Sequence, residues 1–291
     1  MAQASASLSQ GALDGLYRLL ADDDEHVFSL LRTSLLQRDP EIDQMLERAV
    51  RDADPVRRRH ARDVLDEKFG NEAENEFDLF LARHRGEFDL AEALLRLART
   101  EYPTLALEPY RERLNRWSAQ LEQRLEPGTD PEHALAVLHR FFFEHLAFRG
   151  NERDYYDPRN SYLTDVLDRR LGIPISLGAV YLILGQTHSL PLAGISMPGH
   201  FVIRFQSPRT LTYIDVFHQG RLLSMEQCAD YCRAAGYGFQ PEYLTPATAR
   251  EVVARSCSNL MLLYADRRDE LRVRRFRRFL TRLGSLPERL R

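Results

Sequence analysis

The first part of the chain repeats apolar residues at helical spacing. Leucine and valine recur every three or four positions from Leu16 to Leu36, with an interruption at the acidic turn 22–24. This spacing puts the apolar side chains on one face and predicts two amphipathic helices. Downstream, Asp54 followed by Pro55 predicts another helix start, because aspartate is a favoured N-cap and proline fits the first helical turn.

Helical patterns continue to about residue 147. Helix pairs opened by Asp-Pro at a period of roughly 30 residues are similar to degenerate HEAT-type repeats, which we expect over 1–72. Further helices are predicted at about 75–100, 107–125 and 131–147. We therefore expect a helical region over 73–148 to precede the rest of the fold.

The pattern changes near Gly150. A polar and aromatic stretch, GNERDYYDPRNSYL, leads into a short helix that Gly172 is expected to end, and an apolar helix follows at about 176–188. The segments HFVIRF (200–205) and LTYIDVF (211–217) then alternate with a period of two, which predicts two strands.

After the strands the sequence returns to helical signals. Ser224 and Gln227 have capping-box spacing, and Gly236 is a stop signal for the helix between them. Two final helices complete the pattern. We divide this half into a core over 149–245 and a helical tail over 246–291, which makes the fold class α+β and predominantly helical.

Composition places the chain among soluble globular proteins. Hydrophobic residues make up 44% and charged residues 29% of the 291 residues, and the formal net charge is −3, so no global attraction for nucleic acid is expected. The longest nearly apolar run, 175–185, is far shorter than the roughly 20 residues that a membrane helix needs. Three cysteines and no signal-like start lead us to expect a cytoplasmic protein.

The candidate chemistry lies in Ser176, His200 and Asp215. Ser176 is expected at the start of the apolar helix, where free N–H groups favour a developing anion. A connecting loop at 206–209 would place residue 200 directly opposite residue 215, about 5 Å apart at Cβ, so that the carboxylate orients the imidazole. This layout is that of acyl transfer, although serine at a helix start is also a common cap.

The same residues lie in recognisable motifs. The run GNERDYYDPRNSYLTDVLDRRLGIPISLGAVYLIL, followed by PGHFVIRF and YIDVF, resembles the SirB-type branch of the transglutaminase-like superfamily. The similarity extends upstream through FDLAEALLRLARTEYPTLALEPYRERLNRW and downstream through ARSCSNLMLLYADRRDE, which looks like the start of a TPR-like tail. The resemblance implies a bacterial protein whose core at 149–245 has the papain/transglutaminase-like fold.

The resemblance also implies a triad of cysteine, histidine and aspartate. His200 and Asp215 match its second and third members, whereas Ser176 stands where the superfamily has cysteine, as often in this branch. A helix N-terminus and a nearby cation can ionise a thiol at neutral pH, but a serine hydroxyl depends on a general base during attack. The triad is therefore expected to be vestigial or weak.

The branch-specific loop and the arginine-rich segment at 267–291 have two interpretations each. The loop residues either brace the core or line a groove for a peptide or partner chain; they are Asn151, Tyr155, Tyr156, Pro158, Asn160, Ser161 and Tyr162. Cys228 and Cys232 are expected in the core, and no metal site or cofactor is predicted. The segment 267–291 contains ten arginines against three acidic residues, so it is either a solvated helix face or a patch for an acidic partner or nucleic acid.

Two functions follow from these patterns. The first is a non-catalytic transglutaminase-like protein that acts as a regulatory or protein-interaction module for a partner of unknown identity. The second is a hydrolase of the peptidase or amidase type, in which Ser176 attacks an acyl group, His200 acts as general base and Asp215 orients it. The absence of the cysteine favours the first.

Overall fold

The computed structural model describes residues 9–37, 39–126 and 128–285, and it confirms a predominantly helical α+β fold. Within these ranges the α-helices are α1 (Gln10–Leu19), α2 (Glu25–Leu35), α3 (Pro40–Val50), α4 (Pro55–Leu65), α5 (Asn71–Arg83), α6 (Leu90–Arg99), α7 (Glu108–Glu122), α8 (Pro131–Arg140), α9 (Leu163–Arg169), α10 (Pro174–Thr187), α11 (Met225–Ala234), α12 (Ala249–Asp266) and α13 (Glu270–Leu283). The strands are β1 (Arg149–Gly150), β2 (Leu171–Gly172), β3 (Leu192–Met197), β4 (His200–Gln206), β5 (Leu211–Asp215), β6 (Arg221–Leu223) and β7 (Pro246–Ala247).

The chain forms two compact units. One comprises residues up to Phe77 together with Arg96–Ala106, and the other comprises Asp78–Leu95 and Leu107–Arg291. In the first unit, α1 contacts α2 and α3, and α3 contacts α4. Asp54 accepts a hydrogen bond from the backbone N–H of Arg57 and Pro55 is the first residue of α4, so the predicted helix start is confirmed. The four-part division with HEAT-like and TPR-like ends stays a prediction.

Two helix ends differ from their predicted positions. The expected helix at 75–100 is two helices, because the carboxylate of Asp89 accepts a hydrogen bond from Glu92 N and starts α6 afresh. Helix α9 ends at Arg170, which adopts a left-handed conformation with φ of 60°, and not at Gly172. Gly172 instead pairs with Gly150 in a short parallel bridge, and a Cβ there would lie 2.6 Å from Ser176 Oγ.

The second unit contains an antiparallel sheet of five strands in the order β6-β5-β4-β3-β7. The two predicted strands are present as β4 and β5, but the predicted register is wrong by two residues. Ile203 pairs with Ile214 and Gln206 with Leu211, so Asp215 is not directly opposite His200. A shift of two residues keeps every side chain on its face, and the two side chains still lie on the same side of the sheet.

Helix α10 lies at the centre of the second unit, where it contacts α7, α8, α9, α12, β3 and β4. Most of its residues are buried, which explains why its sequence is apolar on all sides. The ring of Phe201 on β4 lies between Gly178 of α10 and Gly194 of β3, and a Cβ at either glycine would come within 2.6 Å of that ring. These glycines set how closely α10 and the sheet approach each other.

The arginine-rich segment is a helix with a packed face. Phe276, Phe279 and Leu280 are buried as predicted, and the side chains of Arg272 and Arg275 are buried with them. Arg278 forms an ion pair with Asp78 at 2.7 Å. Residues 286–291 of this segment lie outside the described residues.

Among the helices of the described ranges, none combines the length and the apolar character needed to cross a membrane.

Replacement of Gly178 by alanine tests the close approach of α10 to β4. We expect Gly178→Ala to lower the free energy of unfolding by about 1–3 kcal/mol, because the Phe201 ring is confined on both sides and overpacking outweighs the gain in helix propensity. Urea unfolding followed by circular dichroism measures it. Gly238→Ala is the matched control, since no atom lies within 4 Å of a Cβ there; equal effects of the two substitutions would contradict the prediction.

Candidate functional site

His200 and Asp215 meet at one face of the sheet. Nε2 of His200 lies 3.0 Å from Oδ1 of Asp215, which is within ion-pair distance. The contact does not meet the geometry of a hydrogen bond. Both side chains are buried, Asp215 completely. The turn Pro198-Gly199 places His200 at the start of β4, and Gly199 has φ of 78°, a conformation that favours glycine.

Asp215 accepts hydrogen bonds from several directions. Oδ2 accepts from Nδ1 of His218 and from the hydroxyl of Tyr231, each at 2.8 Å, and Oδ1 accepts from the backbone N–H groups of Phe217 and His218. Burial raises the pKa of this carboxyl, but the contacts from His200, His218 and Tyr231 outweigh it and hold the pKa of Asp215 well below its ordinary value. Asp215 is therefore an ionised carboxylate inside the protein.

The ring of His200 is fixed on a second side by Tyr231. The two rings are stacked with centroids 4.6 Å apart and an angle of 3° between their planes. Nε2 faces Asp215, and Nδ1 makes no hydrogen bond to the described residues. His200 therefore presents an oriented imidazole, with one nitrogen left to act on a ligand as a base or as a hydrogen-bond partner.

A pocket opens beside His200. It is lined by the loop before α9, the start of α10, the β3–β4 turn and one face of α12; the lining residues include Tyr155, Tyr156, Ser161, Ile173, Pro174, Ile175, Gly199, His200, Phe201 and Arg255. The start of α10 contributes Ile173, Pro174 and Ile175 to this wall, which are all apolar. The start of α10 therefore contributes no hydroxyl side chain to the pocket lining.

Ser176 is not part of the pocket lining. It is the third residue of α10 and not its first, and its hydroxyl donates to the carbonyl of Asn160 at 2.5 Å and accepts from Ile173 N at 3.1 Å. The structure brings His200 and Asp215 together, but it directs Ser176 towards the backbone. Its contacts are those of a helix cap that also ties α10 to the preceding loop.

The loop before α9 divides into two groups of side chains. Asn151 donates to Oδ1 of Asn160 at 2.9 Å, Asn160 donates to the carbonyls of residues 154 and 155, and the buried hydroxyl of Tyr162 lies 3.2 Å from that of Tyr264. These three side chains brace the loop. Tyr155, Tyr156 and Ser161 line the pocket instead.

The sequence did not predict two polar partners of Asp215, His218 and Tyr231. His218 follows Asp215 by three residues, a spacing that lets a turn fold the imidazole back onto the carboxylate, and this spacing is visible in the sequence. Tyr231 lies on α11, whose capping box at Ser224 and Gln227 is confirmed. No sequence signal placed the α11 tyrosine against β4.

Within the described ranges, a group of side chains with the spacing of metal ligands lies at the same point. Donor atoms of His200, Asp215 and His218 lie within 4.8 Å of one another, and two imidazoles with one carboxylate suit several divalent metals. In the described structure these groups contact each other, so a metal ion would have to displace the Asp215 contacts. Cys228 and Cys232 lie in a hydrophobic cluster with Ile195 and Val202, as predicted for core cysteines.

Comparison with known proteins agrees with this arrangement of core elements. The family model described as "Transglutaminase-like superfamily" matches residues 108–258 of the chain. This chain belongs to the transglutaminase-like superfamily. The match begins before the predicted core and ends within α12, so it includes the loop, α10, the sheet and the first half of α12 with Arg255, whereas Asn259 and Leu262 lie beyond it.

Relatives of the chain occur in bacteria and in mammals. A UPF0162 protein of Xylella fastidiosa (strain Temecula1) is 34% identical over 210 residues, which cover 69% of this chain and 74% of that protein. A UPF0162 protein of Vibrio cholerae is 35% identical over 115 residues, covering 40% of this chain and 43% of that protein. F-box only protein 21 of mouse is 32% identical over 141 residues, covering 44% of this chain but 21% of that protein. No solved structure gives a significant match.

Replacement of Asp215 by asparagine tests the buried carboxylate. We expect Asp215→Asn to lower the free energy of unfolding at neutral pH by about 3–5 kcal/mol, because it removes a buried charge from its partners. The folded pKa lies below that of an unfolded aspartate, about 3.9. The stabilisation is therefore present above about pH 4, and the difference between the two proteins should narrow as the pH falls below that value.

Denaturant unfolding of both proteins across this pH range measures the effect. Asp230→Asn on the exposed surface of α11 is the control, since Asp230 pairs with exposed Arg233 and its replacement should change stability by less than about 1 kcal/mol. A difference for Asp215→Asn that does not depend on pH would contradict the assignment of an ionised carboxylate.

Proposed function

We propose that this protein is a non-catalytic member of the transglutaminase-like superfamily, of the SirB-type branch, that binds a protein partner through the pocket beside His200. The observation that carries the proposal is the Ser176 hydroxyl, which donates to Asn160 O and accepts from Ile173 N, whereas apolar residues 173–175 line the pocket wall. An oriented imidazole without a nucleophile beside it can bind and position a ligand but cannot form an acyl-enzyme.

The surface around the pocket supports binding of a polypeptide. Tyr156 and Leu262, which both line the pocket, are 71% and 59% exposed, so large side chains form its solvent-exposed rim. Tyrosine combines a large contact area with a polar tip and is enriched at interfaces for that reason. The partner then contacts a rim of aromatic and aliphatic side chains and reaches His200 within.

A second function, acyl transfer, is favoured by one specific observation. Ser161 lines the same pocket as His200, and its hydroxyl makes no side-chain hydrogen bond to the described residues. In this alternative the nucleophile is Ser161 and not Ser176, His200 is the general base, and Asp215 orients it. The hydroxyl would attack an acyl carbon while His200 Nδ1 takes its proton, and the imidazolium would give that proton to the leaving amine or alcohol as its bond to the acyl carbon breaks.

We also propose a cytoplasmic location. Cys228, Cys232 and Cys257 are free and buried, without the disulfides that are common in secreted domains.

Replacement of Ser176 by cysteine tests whether residue 176 caps α10 or acts as a nucleophile. The native thiols should not react in the folded protein, because burial raises the pKa of Cys228 to about 12 and also raises those of Cys232 and Cys257. In Ser176→Cys the new thiol should point at the Asn160 carbonyl, so iodoacetamide at neutral pH should label it at least about tenfold more slowly than free cysteine. Intact-mass spectrometry measures the rate.

Rapid labelling at residue 176 that is lost when His200→Ala is added would mean that the triad is assembled, and it would overturn the non-catalytic proposal. A fluorophosphonate applied to the wild-type protein tests the alternative in the same way. Peptide mapping of any adduct distinguishes Ser161 from Ser176, and His200→Ala shows whether the imidazole activates it.

Replacement of Tyr156 by alanine tests the binding rim. We expect Tyr156→Ala to weaken capture of the partner from a cell extract by at least about tenfold, since exposed aromatic residues at interface centres contribute roughly 2 kcal/mol. Leu271→Ala, which removes another exposed apolar side chain away from the pocket, is the matched control. Quantitative mass spectrometry of the captured proteins measures the effect, and equal capture by the two variants would count against the pocket as the binding site.

A further inference from the structure

The pocket beside His200 contains a guanidinium that no acidic group of the described chain neutralises. Arg255 lies in α12 and lines the pocket, and it makes neither a hydrogen bond nor an ion pair within the part of the chain that the structure describes. Burial lowers the pKa of Arg255, and the phenols of Tyr155 and Tyr237 act in the opposite direction. An arginine side chain stays charged at neutral pH even so.

Neighbouring arginines in the same unit donate hydrogen bonds to acceptors of the chain. Arg250, one turn earlier on α12, donates to the backbone carbonyls of His84, Arg282 and Leu283. Arg267 donates to the carbonyl of Tyr156 at 2.9 Å. Arg255 has no comparable acceptor, although a partly buried charge without a partner is costly.

The one acidic side chain that shares the pocket is too far along the helix to pair with Arg255. Asp266 lies eleven residues later on α12, about 16 Å along the helix axis, and it is exposed. Asn259 lies one turn after Arg255 on the same face, and its side chain also makes no hydrogen bond to the described residues. Arg255 and Asn259 therefore present adjacent unused donors to the pocket.

The size and charge of the pocket limit what can bind there. Its volume is about 170 Å³, smaller than the roughly 300–1,000 Å³ that small-molecule and cofactor sites occupy, so it suits one side chain or a chain end. A single guanidinium with an acidic residue at the far end favours a group with one negative charge. A carboxylate meets both conditions, and it can accept two parallel hydrogen bonds from a guanidinium.

We infer that the pocket binds a carboxylate of a peptide segment, held by the guanidinium of Arg255 and the amide of Asn259, beside the imidazole of His200. This inference rests on the proposed binding function and specifies its ligand. The carboxylate comes from either a C-terminus or an acidic side chain, and both present the same group to Arg255. The apolar rim at Tyr156 and Leu262 then contacts the rest of the peptide.

Isothermal titration calorimetry of four short peptides against the whole protein tests the inference. The first pair is acetyl-Ala-Ala-Leu with a free carboxylate and the same peptide as its amide. The second pair is acetyl-Ala-Glu-Leu amide and acetyl-Ala-Gln-Leu amide. We expect the acid of at least one pair to bind at least about tenfold more tightly than its neutral partner, since a hydrogen bond to a charged group contributes about 1.5–3 kcal/mol. The pair that shows the difference identifies the source of the carboxylate.

Variants locate the effect at Arg255. Arg255→Met should abolish the difference between acid and amide, Arg255→Lys should retain part of it, and Arg274→Met should leave it unchanged, because Arg274 is exposed on α13 and removes the same charge. Equal affinity of acid and amide for the wild-type protein, no binding of any peptide, or equal losses in Arg255→Met and Arg274→Met would each overturn the inference. The comparison of peptides on the wild-type protein needs no variant, so it stands if Arg255→Met fails to fold.

The two proposals fail separately. If Ser176 or Ser161 reacts with a fluorophosphonate in a manner dependent on His200, the non-catalytic function is overturned whatever the peptides show. If no serine reacts and the acid and amide bind equally, the carboxylate ligand is overturned and the binding function stands.

Discussion

A carboxylate without access to water determines the arrangement of the site. Asp215 is completely buried, and an ionised group in that position is tolerated only when donors surround it. The partners of Asp215 come from three places: hydrogen bonds from His218 in the turn after β5 and from Tyr231 on α11, and the close contact of His200 at the start of β4. The sheet, the turn and the helix must therefore keep their relative positions, and the orientation of His200 follows from them.

This constraint gives the His200–Asp215 pair a structural reason to exist that does not depend on catalysis. The His200–Asp215 contact is needed for the stability of a buried charge, whether or not a nucleophile is present. Ser176 near the start of α10 has a different role, because its hydroxyl accepts a hydrogen bond from Ile173 N and donates one to the carbonyl of Asn160. Orientation of the imidazole and activation of a nucleophile are thus separate properties of this fold, and only the first is visible in its geometry.

Two charged side chains in the same unit, Asp215 buried and Arg255 partly buried, have opposite environments. Asp215 receives all of its partners from the chain itself, so its role is explained by folding alone. Arg255 lines the pocket with no acceptor from the described chain, and its desolvation is unexplained by folding. Native structures leave few buried polar groups unpaired, so a partly buried guanidinium without an acceptor in a pocket is a candidate contact for a ligand. Arg255 therefore makes the pocket a candidate binding site.

Local sequence signals determined the elements of this protein but not their assembly. The Asp54-Pro55 start, the capping box of Ser224 and Gln227, and the alternation in β4 and β5 all act within a few residues, so they could be predicted from the sequence. The superfamily motifs likewise identified His200 and Asp215. The register of β4 against β5, the stacking of Tyr231 on His200, the direction of the Ser176 hydroxyl and the exposure of Arg255 to the pocket depend on contacts between residues far apart in the chain. Packing around α10 and the burial of Asp215 decided these features, because only the folded chain brings their partners together.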